Sequence, residues 1–416
     1  MNNFKFRKRV AVVLGSTLFF INACSTYPFE TQNAQNAFYS GDYDKAAQLL
    51  EKNAKEDSKD QLLYLYDRGM ALHLAGKYRE SEKMLLAADK MGEIKDYTSI
   101  SAEIASVLIN ENIKQYKGED FEKVITNAFL AIDYVLDGQF EDALVECRRV
   151  NEKLYKYKFE AKRNYEQNPF ARYLAALIWE ASGNLTDAYI DYKKAEELTP
   201  DFAYLKSDLI RLAKRLDRPE DLKKWKKQFG EEVAVPTPKE EAKTGEIILI
   251  YQQGRSAVKK PHPENHRFPK FYARSSLTQT ARIEVGDEKK SEDSQKIYSV
   301  SDVAIKTLDD AYAVLVAKAA ANVASRMIIS DQVRQKNELL GLATWIGLAA
   351  TDQADVRHWS TLPETLQFAR VRVAPGVHDV KIVGLTSAGQ TSGEEKSFQI
   401  NVAAGKKVFL NWRSLQ

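Results

Sequence analysis

Two cysteines and five histidines in 416 residues leave thiol and metal chemistry little to work with. Charge of one sign is also lacking, since 61 basic residues face 58 acidic ones. Lys5, Arg7, Lys8 and Arg9 stand in the first nine positions, and from residue 24 onward 57 basic residues face 58 acidic ones. A nucleic-acid binder concentrates a basic field on its folded domain, so no nucleic-acid partner is expected. After the leader no segment reaches 18 uninterrupted apolar residues; "LLGLATWIGLAA", 339–350, comes nearest. A membrane-spanning helix needs about 20. The phosphate-cradling G-x-x-x-x-G-K-[ST], the dinucleotide G-x-G-x-x-G and the nucleophile elbow G-x-S-x-G are all missing. "HPENH" offers His262, Glu264 and His266, but in a proline-rich loop with no preset geometry, and His73 reads as helix packing. Catalytic residues, metal and cofactor are therefore all expected to be none.

What is present begins with the leader. "KFRKR" is a positive start and "VAVVLGSTLFFI", 10–21, is an apolar run too short to span a bilayer. Together they describe an export signal over residues 1–23. "INAC", Ile21-Asn22-Ala23-Cys24, resembles the lipobox of bacterial lipoproteins: aliphatic, variable, small, Cys. The resemblance implies that Cys24 becomes the first mature residue and carries acyl chains. Ser25 after it implies sorting to the outer membrane. Residues 24–32 then form a lipidated tether, and Cys147, left alone, has no disulfide partner.

The first half repeats. "AFYSGDYDKAAQLLEKN" (37–53), "ALHLAGKYRESEKMLLAA" (71–88), "DYVLDGQFEDALVECRRV" (133–150) and "IWEASGNLTDAYIDYKKA" (178–195) share one pattern. Gly41, Gly76, Gly138 and Gly183 are followed two residues on by Tyr43, Tyr78, Phe140 and Leu185. Ala46, Ser81, Ala143 and Ala188 come three after those, and Leu50, Leu85, Cys147 and Tyr192 four later still. Glycine permits the tight turn between antiparallel helices, the small residue their close approach, and the large one fills the gap a turn further on. The pattern resembles the tetratricopeptide (TPR) repeat, and Pro200 stands where that motif commonly ends. One degenerate unit is expected over 92–124, a lengthened helix over 153–168, and two closing helices over 204–216 and 220–229. TPR resemblance implies a solenoid over 33–230 whose groove holds a protein partner.

"GEEVAVPTPKEEAKTG", with two prolines and no periodicity, reads as a linker over 231–245. An α+β domain over 246–416 follows. It opens on the strand "EIILIYQQG", carries an Ala-rich helical insertion over 303–350, and ends in a β tail over 364–416. "LQFARVRV-APG-VHDVKIVGL" and "KSFQINV-AAG-KKVFLNW" read as two hairpins, and the tail resembles small β-sandwich modules of the PEGA type. The overall class is α+β multidomain: an all-α solenoid, then an α+β domain with sandwich-like hairpins.

Just before the tail lies "DVRHWSTLP", or D-x-R-x-W-x-T-L-P: Asp355, Arg357, Trp359, Thr361, Leu362 and Pro363. Lipobox, TPR repeats, this motif and "ARVRVAPGVH" together resemble a family of bacterial TPR lipoproteins with no assigned activity. The resemblance implies architecture and leaves chemistry open. A structural role for the motif has Asp355 pairing with Arg357, Trp359 packing, and Leu362-Pro363 leading into a strand at a sheet edge. The expectation is an outer-membrane scaffold facing the periplasm that binds a protein partner in cell-envelope assembly. An envelope enzyme would need His358, Asp355 and a serine in one cleft, and a glycan binder an exposed row including Trp359 and Trp412.

Overall fold

The computed structural model describes Tyr27 and residues 31–97, 115–159, 168–286, 288–313, 315–317, 335 and 354–416. Cys24 and the leader, the helix expected within 98–113, the end of the lengthened helix over 160–167, and the insertion over 318–350 except Gln335 lie outside the described residues.

Among the described residues five helical hairpins build the first half. They are α1 (Gln32–Tyr39) with α2 (Tyr43–Leu49), extended by the short α3 (Glu51–Lys55); α4 (Gln61–Leu74) with α5 (Tyr78–Tyr97); α6 (Asp120–Leu136) with α7 (Phe140–Phe159); α8 (Pro169–Ala181) with α9 (Leu185–Leu198); and α10 (Ala203–Arg215) with α11 (Pro219–Phe229). Each second helix of the four repeats starts two residues after its glycine, as the spacing predicts. Gly41, Gly76, Gly138 and Gly183 adopt φ of +75 to +85°. The same hydrogen bond closes every turn, from the first residue past it to a carbonyl five back, for example Lys77 N to Leu72 O at 2.9 Å. A Cβ at any of the four glycines would meet nothing within 4 Å, so backbone conformation and not space selects the residue. Ala46, Ser81, Ala143 and Ala188 are fully buried between helices, with Leu50, Leu85, Cys147 and Tyr192 beside them. Burial also pushes the Cys147 thiol up, which makes it an apolar filler.

The fifth turn escapes the glycine pattern. Asp217 takes the left-handed conformation there (φ 49°), and Arg218 N reaches Ala213 O at 2.9 Å. Pro200 stands in the turn between α9 and α10.

The segment read as a linker contains a helix, α12 (Pro238–Lys243). Pro238 starts it, and Thr237 and Glu240 cap each other reciprocally. Ten strands follow: β1 (Gly245–Gln253), β2 (Val258–Pro261), β3 (Pro269–Tyr272), β4 (Thr280–Val285), β5 (Lys290–Asp293), β6 (Gln295–Ser299), β7 (Thr365–Val373), β8 (Gly376–Leu385), β9 (Thr391–Val402) and β10 (Lys407–Arg413). Residues 300–313 are helical. Two four-stranded sheets, β10-β1-β7-β6 and β5-β4-β8-β9, face each other, and β2-β3 is a separate ribbon. β10 runs parallel to β1, and the other pairings are antiparallel. The chain is thus an α+β protein with a TPR-like solenoid and a β-sandwich.

Neither expected hairpin of the tail forms. β7 lies in one sheet with β1 and β6, whereas β8 pairs with β4 and β9 in the other; Ala374-Pro375 carries the chain across. β9 and β10 likewise belong to different sheets. Strand alternation reports which face is buried but not which strand is the neighbour.

Ile247, Leu249 and Tyr251 of β1 and Ala369, Val371 and Val373 of β7 fill the sandwich core. Ile248 and Ile250, with Leu366 and Phe368, point the other way, into the core of the solenoid. β1 is buried along all nine residues because both of its faces are covered.

Two substitutions test the turns. Gly138→Ala should lower the unfolding free energy by roughly 1–2 kcal/mol, the cost of a left-handed L-residue. Asp217→Gly should raise it by up to about 1 kcal/mol. Urea titration of each variant decides; an unchanged midpoint in Gly138→Ala would refute the backbone explanation.

Candidate functional site at the seam between solenoid and sandwich

The first helix of each hairpin lines one face of the solenoid, the face expected to hold a partner. The chain's own first sheet occupies it. Phe170 of α8 stacks on Phe368 of β7 at 5.1 Å; Phe140, at the start of the second helix α7, reaches Phe409 of β10 at 6.0 Å, and Phe121 of α6 meets Phe271 of the β2-β3 ribbon at 5.8 Å. The groove is therefore not open along this face. The reason lies in the sheet, whose second apolar face must be covered.

The nonapeptide DVRHWSTLP is the clasp at one end. Arg357 donates to Asp355 (Nη2, 2.7 Å) and reaches Asp60, before α4, at 2.7 Å. Trp359 is 1% exposed and stacks on Tyr66 at 4.2 Å with the ring planes 5° apart. Its backbone N–H donates to Glu122 Oε1 at 2.6 Å and its indole N–H to Thr361 Oγ1 at 2.9 Å. Thr361 in turn donates to Asp67 Oδ1 at 2.8 Å, and Asp67 also accepts from Ser360 and Tyr27. The Asp355–Arg357 pair and the packed Trp359 thus match the structural role. Leu362-Pro363 does not lead into an edge: β7 pairs on both sides, with β1 and β6.

Burial raises both carboxylates that hold the clasp. Asp67 is pushed up to about 6, against its hydrogen bonds from Tyr27 and Thr361. Glu122 is pushed up to about 7, with Glu119 adding to the effect. No cation compensates either among the principal influences on it, so desolvation wins.

Midway along the seam His73 does more than pack. Its Nδ1 meets Asp133 at 2.5 Å, and Nε2 lies 2.6 Å from Gln252 Nε2 and 2.9 Å from Asn411 Nδ2. Amide nitrogens only donate, so Nε2 is the acceptor and Nδ1 carries the proton. One imidazole thereby ties α4 and α6 to β1 and β10.

The far end is ionic. Arg370 bonds Asp208 and Tyr173 at 2.6 Å each and Glu246 at 2.7 Å. Arg211 bridges Glu180 at 2.8 Å, Asp208 at 3.0 Å and Glu241 at 2.9 Å, and Lys407 joins Glu180 and Glu246. Burial would raise Glu246 and Glu180, but Arg370, Arg211 and Lys407 outweigh it and hold both below the usual range.

The other candidate residues do not converge into chemistry. His358 donates no hydrogen bond to Asp355; its Nδ1 faces Val356 O at 3.0 Å, and burial pulls it down to about 4. Asp355 is engaged with Arg357 instead. Trp359 and Trp412 are both buried, so they form no exposed row. His262 and His266 flank the β2–β3 turn, and among the described residues no group of three His, Cys, Asp or Glu side chains could hold a metal. Sequence reasoning missed Asp67, Glu122, Asp133, Asp208 and Arg370. Their signal was a charge set inside an apolar helix or strand face, as in "LLYLYDRGMAL" and "QFARVRV".

No protein-family model matches the chain, and no curated protein matches it significantly. Solved structures similar to its helical half include MamA 41-end from Desulfovibrio magneticus RS-1 (17% identity, 48% of this chain, 89% of that one, TM-score 0.32). A Podosopora anserina putative kinesin light chain with TPR-like repeats is 15% identical over 49% of this chain and 93% of its own, with TM-score 0.33. Likeness of this degree says nothing of function.

Trp359→Ala should cost about 3–5 kcal/mol and expose the seam to protease. The pH sign follows from the raised carboxylates. The folded state binds protons that the unfolded state has already lost, between the ordinary carboxylate pKa of 4.5 and about 7 for Glu122. That residue's contribution is present at low pH and is lost as pH rises through 7. The stability of wild type relative to Glu122→Gln should therefore be about 2 kcal/mol greater at pH 5 than at pH 8. A pH-independent difference in denaturant unfolding would exclude a perturbed Glu122.

Proposed function

We propose that this protein is a non-enzymatic scaffold lipoprotein, held at the outer membrane through lipidated Cys24 and binding a protein partner in cell-envelope assembly. The observation that carries the scaffold reading is the seam. The first helices spend their aromatic and charged side chains on the chain's own sandwich. The second helices remain for a partner. Leu49, Leu86, Val145, Tyr155, Phe159 and Ile190, all large and apolar, are exposed on α2, α5, α7 and α9. Tyr155 and Phe159 are each 58% exposed and lie 4.5 Å apart at the end of α7. Such clusters mark interaction surfaces more often than single exposed apolar residues do. The export signal and the lipobox support the anchor. Among the described residues no helix is long and apolar enough to cross a membrane.

Two measurements test this reading. Radiolabelled palmitate should enter the wild-type protein and not Cys24→Ala; equal labelling ends the anchor. A photo-cross-linking residue at position 155 should capture an envelope protein in cells, and one at position 359 should not. Capture only from position 359 would return the partner to the inner face.

A further inference from the structure

β10 is an outer strand: β1 pairs one side of it, and among the described residues no strand pairs the other. Five consecutive residues, 409–413, line a groove of about 310 Å³ along that free side. Tyr43 and Tyr78 from the first two helical turns form one wall, and Lys396 and Phe398 of β9 the other. Most of the seam is filled, and beside His73 and Asn411 it is not. The volume suits a short segment. An unpaired strand edge offers backbone donors and acceptors to an extended chain.

Arg413 supplies the second observation. It is 5% exposed, yet among the described residues no carboxylate pairs with it. Its Nη1 and Nη2 bond the carbonyls of Thr361 and Gly254, and its Nε is buried with no hydrogen-bond partner. Every other buried guanidinium of the seam (Arg211, Arg357 and Arg370) has at least two carboxylates. Burial pulls Arg413 down to about 10, the direction an uncompensated cation takes. Lys396 at the rim adds positive charge and leans over Phe398 at 5.1 Å.

Resting on the scaffold reading, we propose that this groove takes the C-terminal end of a partner polypeptide, added as a strand to β10 with its terminal carboxylate on Arg413. A chain end need not leave the groove again, which fits so small a recess better than a continuous strand. The tyrosines and Phe398 would flank its last side chains. The site differs from the outer face of the second helices, so one partner could engage both.

The test uses the full chain against an array of random hexapeptides with free C termini and the same array amidated. Free-acid peptides should be retained, with amidation weakening binding at least tenfold. Arg413→Gln should match that loss, Phe398→Ala should weaken binding several-fold, and hydrogen exchange at residues 408–412 should slow when a retained peptide is added. Phe398 is only partly buried, so its variant keeps the test valid should Arg413→Gln fail to fold. The proposal is overturned if free and amidated peptides bind alike, if binding tracks an internal Asp or Glu, or if β10 exchange and Phe398→Ala leave binding unmoved. Capture from position 155 alongside such a failure would remove this site and leave the scaffold standing.

Discussion

The sheet β10-β1-β7-β6 has two apolar faces, and the rest of the molecule follows from covering the second one. Its partner sheet covers the first, as in any sandwich. The other carries Ile248, Ile250, Leu366 and Phe368, which left in water would favour aggregation or a different fold. The solenoid supplies the cover. A stack of helical hairpins normally leaves one face for others, but here that face is consumed internally. The solenoid and the outer face of this sheet share one core, while the sandwich keeps a second core between its two sheets.

The two ends of the seam use opposite electrostatics. At the α8–α10 end, carboxylates and guanidinium groups are buried together, and the cations hold Glu180 and Glu246 ionised. At the clasp, Asp67 and Glu122 accept only hydroxyl and backbone N–H groups, so desolvation dominates and both rise. Buried ion pairs add little net stability over apolar substitutes, yet an unmatched one is costly. Each misaligned register between helices and strands would leave such a charge alone. The ionic end is thus best understood as fixing the register, and the aromatic packing as holding it.

Much of this was legible. Four glycine turns, their small residues and the closing helices fall where the repeat spacing put them, because a left-handed turn needs glycine and leaves a trace. Asp217 makes the same turn without that trace. The clasp was legible as structure from Asp355, Arg357 and Trp359, since charge pairing two residues apart is local. What they hold was not: Asp60, Asp67 and Glu122 lie over two hundred residues away. β7 and β8 were read as a hairpin because period-two patterning constrains faces and is silent on neighbours. Arg370, in "QFARVRV", reads as a solvent-facing position until Asp208 and Glu246 are placed opposite it.

Tyr27 is docked only three residues after Cys24. Its ring lies 5.0 Å from Tyr64 and its hydroxyl bonds Asp67, so the tether expected over 24–32 meets the folded body at its fourth residue. Three extended residues span about 10 Å. A lipid on Cys24 would then act less as a leash than as a hinge pin, with the solenoid's first turn set against the headgroups and little freedom to swing. Because Asp67 also accepts from Thr361, a pull on the lipid would reach the clasp through two hydrogen bonds, and load at the membrane would be felt first where solenoid and sandwich are joined.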